Sequence, residues 1–129
     1  MSKGKSTPLG RVRNHGAAAE GTGHFVGQRV SAIALLILAT WFVLSAALTM
    51  DGPTYLAAID FLVSPVNAVG VILLVMVALY HMRIGMGEVI NDYIARPFTK
   101  VVLLLLNALV PLVIAAGALF AVLLVNFGA

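Results

Sequence analysis

The stretch VSAIALLILATWFVLSAALTM, residues 30–50, holds no charged side chain over 21 positions. Two further runs are equally free of charge, the 22 residues 61–82 and the 29 residues 101–129. About 20 helical residues are enough to cross the hydrocarbon core of a bilayer, which is about 30 Å thick. Because a helix satisfies its own backbone hydrogen bonds in lipid, each run predicts a transmembrane helix.

The composition excludes several classes of protein. Of the 129 residues, 61% are apolar and only 10% are charged, and the mean hydropathy is +1.05. A soluble globular domain carries about 25% charged residues, and a disordered chain is both polar and highly charged. The chain has no cysteine. It therefore forms no disulfide framework, holds no iron–sulfur cluster or cysteine-ligated zinc, and performs no thiol catalysis.

We predict an all-α integral membrane protein with three transmembrane helices near residues 30–50, 66–90 and 101–127. Residues 1–29 form an N-terminal tail, and residues 30–127 form a single membrane domain. Small residues occur throughout the spans, and such residues let helices approach closely. Three helices are a poor free-standing unit, so we expect the chain to be a subunit of a larger membrane assembly.

The distribution of basic residues predicts the orientation, because cytoplasmic segments carry an excess of lysine and arginine. The loop after the first span has no basic residue, whereas the connection after the second has Arg96 and Lys100. The tail carries five basic residues: Lys3, Lys5, Arg11, Arg13 and Arg29. We therefore expect a cytoplasmic N-terminus and a C-terminus on the opposite side. The net charge of +3 follows this topology and does not indicate a nucleic-acid partner.

Proline residues mark the ends of the predicted helices. After Pro53, apolar residues recur at helical spacing and predict a short amphipathic helix on the outer surface. Pro65 ends that helix, and Pro97 prevents the second span from continuing.

Ionisable residues inside the second span form one stripe. On a helix with about 100° per residue, Glu88 and Asp92 lie within about 20° of His81, and Gly85 lies about 40° away. Arg83 points elsewhere. At a rise of about 1.5 Å per residue, His81 lies about 17 Å from Asp92 along the axis, near the middle of the membrane. Ionisable groups at this depth are unfavourable, and each is a candidate for function.

His81 has two interpretations. It is either a neutral imidazole hydrogen-bonded to a neighbouring helix or an axial ligand of haem iron, for which a neutral histidine nitrogen is suited. Gly85, one turn away, would leave a groove in which a flat porphyrin could lie against the backbone. This chain offers one such ligand at depth, so a second ligand would come from a partner.

Arg29 opens the first span on the cytoplasmic side. It is either a topology anchor that reaches lipid phosphate or a cation for haem propionates or a quinone oxygen. Gln28 and Ser31 add hydrogen-bond donors beside it, and His24 lies five residues earlier.

Asp92 and Tyr93 close the second span. They either cap the helix in the interfacial aromatic belt or serve a quinone. A tyrosine hydroxyl is a donor to a quinone carbonyl, and a carboxylate at the aqueous edge can orient that hydroxyl or relay protons. Trp41 lies in mid-span, and we interpret it as a packing residue.

The segment YHMRIGMGEVINDY, residues 80–93, resembles the H-x3-G-x6-DY motif of the succinate dehydrogenase small membrane anchor subunit, the D subunit of respiratory complex II. GTGHF at 21–25 and QRVSA at 28–32 are similar to that family's entry to its first helix, and TPLGRVR at 7–13 is similar to its bacterial branch. The resemblance covers essentially the whole chain.

The resemblance implies half of a heterodimeric anchor bundle in a four-subunit complex of the bacterial inner membrane. The expected partners are a flavoprotein that oxidises succinate, an iron–sulfur subunit and a cytochrome b556-type anchor subunit. FAD and the clusters would belong to the first two, and the anchors would share haem b and help to build the ubiquinone site. By this resemblance, His81 corresponds to the family's axial haem ligand, and Arg29 corresponds to the arginine near the haem propionates. Asp92 and Tyr93 correspond to the pair at the family's quinone site. His24 lies near a histidine of the family that precedes this arginine.

Two other interpretations remain open from the sequence. The chain could be a purely structural anchor without haem, with quinone handled by its partners. It could also be a small proton-coupled transporter that uses Glu88 as its carrier, which would require homo-oligomerisation. The chain has no flavin motif, no cluster ligands and no dicarboxylate site, so it is not a complete enzyme by itself.

Overall fold

The computed structural model describes residues 18–128, with the side chains of residues 22–128. This part of the chain is all-α, as predicted. Its four helices are α1 (Ala18–Thr49), α2 (Tyr55–Val63), α3 (Pro65–Tyr93) and α4 (Pro97–Phe127). The tail residues 1–17, with four of the basic residues used to predict orientation, lie outside the described residues.

Three of the helices are long and apolar enough to cross a membrane. Their candidate spans are Thr22–Thr49, Pro65–Tyr93 and Pro97–Phe127, which confirms the three predicted spans. α1 begins 12 residues before the predicted start at residue 30. The charge-free run marks the apolar part of this helix only, because residues 18–29 contain no proline to stop it. With 32 residues, α1 is about 48 Å long and extends beyond a core of about 30 Å.

Local sequence explains where the helices begin and end. The Thr54 hydroxyl accepts a hydrogen bond from the Ala57 N–H at 3.2 Å and caps the short helix α2, which was predicted from the apolar spacing. Pro65 and Pro97 occupy the first turns of α3 and α4, where a proline leaves no hydrogen bond unmade. Gly128 ends α4 with φ of 64°, a left-handed conformation that favours glycine.

α3 is the central helix of the described bundle. α1 and α4 both pack against it, and the short α2 lies against α3 and α4. Few side chains are buried by these contacts: the apolar ones are Phe61, Ala68, Ile90, Pro111 and Val122. Most of the apolar surface is therefore left for lipid or for other subunits.

The indole of Trp41 packs directly on Gly70, which fixes the contact between α1 and α3. A Cβ atom at Gly70 would overlap the ring, so only glycine admits the indole at this crossing. The prediction that Trp41 is a packing residue is confirmed. Next to it, Phe42 meets the buried Phe61 of α2 edge to face, with ring centroids 6.0 Å apart.

Candidate functional site

His81 faces α1 and bonds to it. Its Nδ1 lies 2.8 Å from the Ser31 hydroxyl oxygen, and Ser31 Oγ in turn donates to the Gln28 carbonyl at 3.1 Å. Ser31 is only 4% exposed and is the one buried polar side chain among residues 22–128. The predicted mid-span imidazole is thus half-buried in the α1–α3 contact.

The contacts of Ser31 fit two arrangements of the protons in this group. The single hydroxyl hydrogen goes either to the Gln28 carbonyl, with the Nδ1–H of His81 donating to Ser31, or to Nδ1, with the imidazole proton on Nε2. The first arrangement is the one that leaves the Nε2 lone pair free for a ligand. The Gln28 amide nitrogen lies 3.5 Å from Nε2, at the long limit for a donor.

A cavity of about 600 Å³ opens beside this imidazole, between α1 and α3. Arg29, His24 and His81, three of the five predicted site residues, line it. Arg29 is exposed, and its guanidinium lies over the ring of Phe25, 5.2 Å from the centroid. His81 and Glu88 of the stripe predicted on α3 and the arginine predicted on α1 therefore line the same cavity. Such a volume is typical of small-molecule and cofactor pockets.

Glu88 faces His24, a pairing that the sequence did not reveal. The His24 Nδ1 and the Glu88 Oε1 are 3.6 Å apart, and the side chains are 65% and 57% exposed. An exposed pair of this kind contributes little to stability. It stands between the first cavity and a second one of about 490 Å³, which Tyr80, Arg83 and Asn107 also line.

The groove expected beside Gly85 is occupied by this chain itself. A Cβ at Gly85 would lie 3.2 Å from the Gln28 amide nitrogen, so the glutamine fills the space that the missing side chain leaves. The other amide atom, Gln28 Oε1, is buried without a hydrogen-bond partner. A buried acceptor without a donor is unfavourable, so this side chain is not held firmly where it lies.

Asp92 and Tyr93 do not line either of these two cavities. Both are exposed at the end of α3, and Tyr93 is 80% exposed. α3 ends at Tyr93: the Ile94 N–H closes the last turn on Ile90 O at 3.1 Å, and Ile94 itself is extended. This chain alone leaves the predicted quinone pair open to the surface.

The residues around His81 fit a haem better than a bare metal ion. Among the described residues, no three His, Cys, Asp or Glu side chains come together as a metal site would require. A single imidazole with a free lone pair is sufficient where a macrocycle already holds the iron. Arg29 supplies a positive charge in the same cavity, as the carboxylates of such a group would need.

Comparison with known proteins agrees with the sequence resemblance. Residues 3–125 match the succinate dehydrogenase/fumarate reductase transmembrane subunit family. The chain belongs to this family. Two curated relatives, from Rickettsia conorii and Rickettsia bellii, are 31% and 29% identical to it over 85 residues. The matched region is 66% of this chain and 68% and 67% of the relatives, each named a succinate dehydrogenase hydrophobic membrane anchor subunit.

Proposed function

We propose that the chain is a membrane anchor subunit of succinate:quinone oxidoreductase. The family match, the names of the two relatives and the three apolar helices support this function. In this role the chain links the tricarboxylic acid cycle to the respiratory electron transport chain. It contributes no complete active site, because the FAD and the iron–sulfur clusters belong to the flavoprotein and iron–sulfur subunits.

Haem b would be held through His81. The single observation that carries this proposal is that the imidazole of His81 and the charge of Arg29 line one cavity. When bound, the haem supplies a one-electron carrier within the bilayer. His81 would hold the iron from this chain, and a cytochrome b556-type partner would provide the second protein ligand. Arg29, with His24 near it, neutralises the propionates.

Ubiquinone would meet Asp92 and Tyr93. Their exposure at the cytoplasmic end of α3 suits a pocket that is completed by the iron–sulfur subunit and the second anchor. There the Tyr93 hydroxyl donates a hydrogen bond to a quinone carbonyl. Asp92 orients that hydroxyl or passes protons from the aqueous edge, since reduction of a quinone to a quinol takes up protons as well as electrons.

The proposed location is the bacterial inner membrane, with the N-terminus in the cytoplasm and the C-terminus in the periplasm. The basic residues at Arg96 and Lys100, between α3 and α4, support this orientation. The lysine is held in place because its Nζ donates to the Asn91 carbonyl at 3.0 Å.

The haem proposal is tested in the purified four-subunit complex with His81→Ala and, as a matched control, His24→Ala. Both histidines line the same cavity, but only His81 is a proposed ligand. We expect His81→Ala to lose or change the haem spectrum, and His24→Ala to retain haem with its ligation unchanged. Pyridine haemochrome content and the optical spectrum measure this. A wild-type spectrum in His81→Ala would show that the iron is ligated elsewhere.

The quinone proposal is tested with Tyr93→Phe. The control is Tyr55→Phe, an equally exposed phenol at the opposite end of the membrane domain, with 78% exposure against 80%. Succinate-driven ubiquinone reduction should fall in Tyr93→Phe only, while succinate oxidation with a soluble artificial acceptor should persist in both. Equal ubiquinone reduction in the two variants would remove the proposed donor role.

A purely structural anchor without haem is the second candidate function. One observation favours it, because both nitrogens of His81 already have neighbours within this chain, Ser31 and Gln28. The same haemochrome assay on the wild-type complex decides between the two. Absence of haem from a fully active complex would establish the structural function.

A further inference from the structure

The buried hydroxyl of Ser31 has no role in the proposed function above. We propose that Ser31 is a positioning residue, which fixes the tautomer and the ring orientation of His81 and thereby strengthens the imidazole as a ligand of haem iron. This inference rests on the proposed haem function and concerns a residue that is neither a ligand nor in contact with quinone.

The Ser31 hydroxyl points in a fixed direction. Ser31 Oγ is anchored because it donates to the carbonyl of Gln28, one turn earlier in its own helix, at 3.1 Å. Such a local bond holds a serine side chain in one rotamer. The oxygen then presents a lone pair toward α3, and His81 Nδ1 meets it at 2.8 Å. The ring is therefore held from one side, with Nε2 facing away from the serine.

Burial keeps Ser31 in place as the partner of Nδ1. Ser31 is 4% exposed, so bulk water does not replace it. An imidazole that binds iron through Nε2 carries its proton on Nδ1, and that buried N–H needs an acceptor. Ser31 Oγ lies 2.8 Å away and supplies this acceptor, which favours the tautomer that leaves the Nε2 lone pair free for the metal.

The Gln28 amide lies in front of Nε2, with its nitrogen 3.5 Å from that ring nitrogen. This distance is at the long limit for a hydrogen bond, and the Gln28 oxygen has no hydrogen-bond partner in the described structure. A stronger partner of Nε2 therefore displaces Gln28, whereas the contact between Ser31 and His81 lies on the other side of the ring and stays in place.

The chemical consequence follows from how such bonds act on metal ligands. An acceptor on the second ring nitrogen makes the imidazole a more basic ligand, and loss of that acceptor typically lowers metal affinity about 10- to 100-fold. A more basic ligand stabilises ferric over ferrous iron. Removal of the Ser31 hydroxyl should therefore weaken haem retention and raise the haem midpoint potential.

The experiment uses the complete complex with Ser31→Ala, Ser31→Thr and the control Ser45→Ala. Ser45 lies on the same helix, and its hydroxyl makes the same kind of bond, to the Phe42 carbonyl at 3.1 Å, but no histidine of the described structure bonds to it. We expect Ser31→Ala to shift the equilibrium between ferric and ferrous haem several-fold toward the ferrous form. A tenfold shift corresponds to an increase of about 59 mV in the midpoint potential of a one-electron couple. Ser31→Thr, which keeps the hydroxyl, should restore the wild-type value, and Ser45→Ala should match wild type.

Redox titration and the electron paramagnetic resonance signature of the ferric haem are the readouts, together with haem content. A Ser31→Ala complex with wild-type potential and signature overturns the inference, as does an equal shift in Ser45→Ala. Should the threonine variant not assemble, the comparison of Ser31→Ala with the wild type and with Ser45→Ala decides by itself. Haem that is lost in His81→Ala but unaffected in Ser31→Ala would refute the positioning role and leave the proposed function standing.

Discussion

Replacing Gly70 with alanine tests the contact that sets α1 against α3. The added Cβ would lie 2.8 Å from Cζ2 of Trp41 and closer still to two other ring atoms, whereas ordinary contacts lie at 3.4–4 Å. The indole is a rigid bicycle held between two helices, so the helices must separate or the ring must leave its rotamer. Overpacking of this kind destabilises by about 1–3 kcal/mol.

The measurement is the free energy of unfolding of the complex in mixed micelles, titrated with a denaturing detergent. Gly117→Ala is the matched control, because it is also inside a transmembrane helix and a Cβ there meets nothing within 4 Å. Alanine is about 0.5–1 kcal/mol better than glycine within a helix, so the control should be neutral or stabilised. If Gly70→Ala were as stable as Gly117→Ala, the packing argument would be refuted.

A double-mutant cycle sharpens this test. In a Trp41→Leu background the obstructing ring is gone, so Gly70→Ala should lose most of its effect. Residues in contact show coupling energies of about 0.5–3 kcal/mol. An identical effect of Gly70→Ala in both backgrounds would mean that its destabilisation has another source.

Three further outcomes are expected. Asn107→Leu removes the side-chain amide that donates to the Arg83 carbonyl at 2.8 Å. The free energy of unfolding of the complex, measured in the same titration, should fall by about 0.6–2 kcal/mol. Glu88→Gln should change stability by less than about 1 kcal/mol, because the carboxylate and its histidine partner are both more than half exposed; a larger loss would place the pair in a covered interface. Because the chain has no cysteine, single cysteines introduced as Asp51→Cys and Ala95→Cys are the only thiols of this chain that can be labelled. A membrane-impermeant maleimide added to intact spheroplasts should modify Asp51→Cys and not Ala95→Cys. The reverse result would invert the proposed topology.

The fold was predictable where local chemistry decides it. Charge-free runs predict the spans, and Pro65 and Pro97 mark where α3 and α4 begin, because charge and proline act on the residues beside them. The extension of α1 back to Ala18 was not predictable in this way. Residues 18–29 contain no proline that would stop the helix, and the charged residue at the edge of an apolar run does not mark the end of the helix.

The site was predictable within one helix and not between two. Helical geometry places His81, Gly85 and Glu88 on one face of α3, and all three meet α1 in the structure. Their partners on α1 depend on how the two helices are rotated and aligned against each other. That alignment is set by contacts between residues far apart in the sequence, such as Ser31 and His81, which are 50 positions apart. The groove expected at Gly85 was wrong for the same reason, because the side chain of Gln28 on the adjacent helix α1 occupies that space.

The small number of buried side chains in this bundle has a consequence for the abundance of the protein in the cell. Within residues 22–128 only six side chains are buried, so most of the apolar surface of the helices is left to be covered by lipid or by other subunits. When a fold is completed only by association, its stability depends on the concentration of the other protomers. Synthesis in excess of those protomers would leave orphan copies open to proteolysis, and the abundance of this subunit would follow that of its partners.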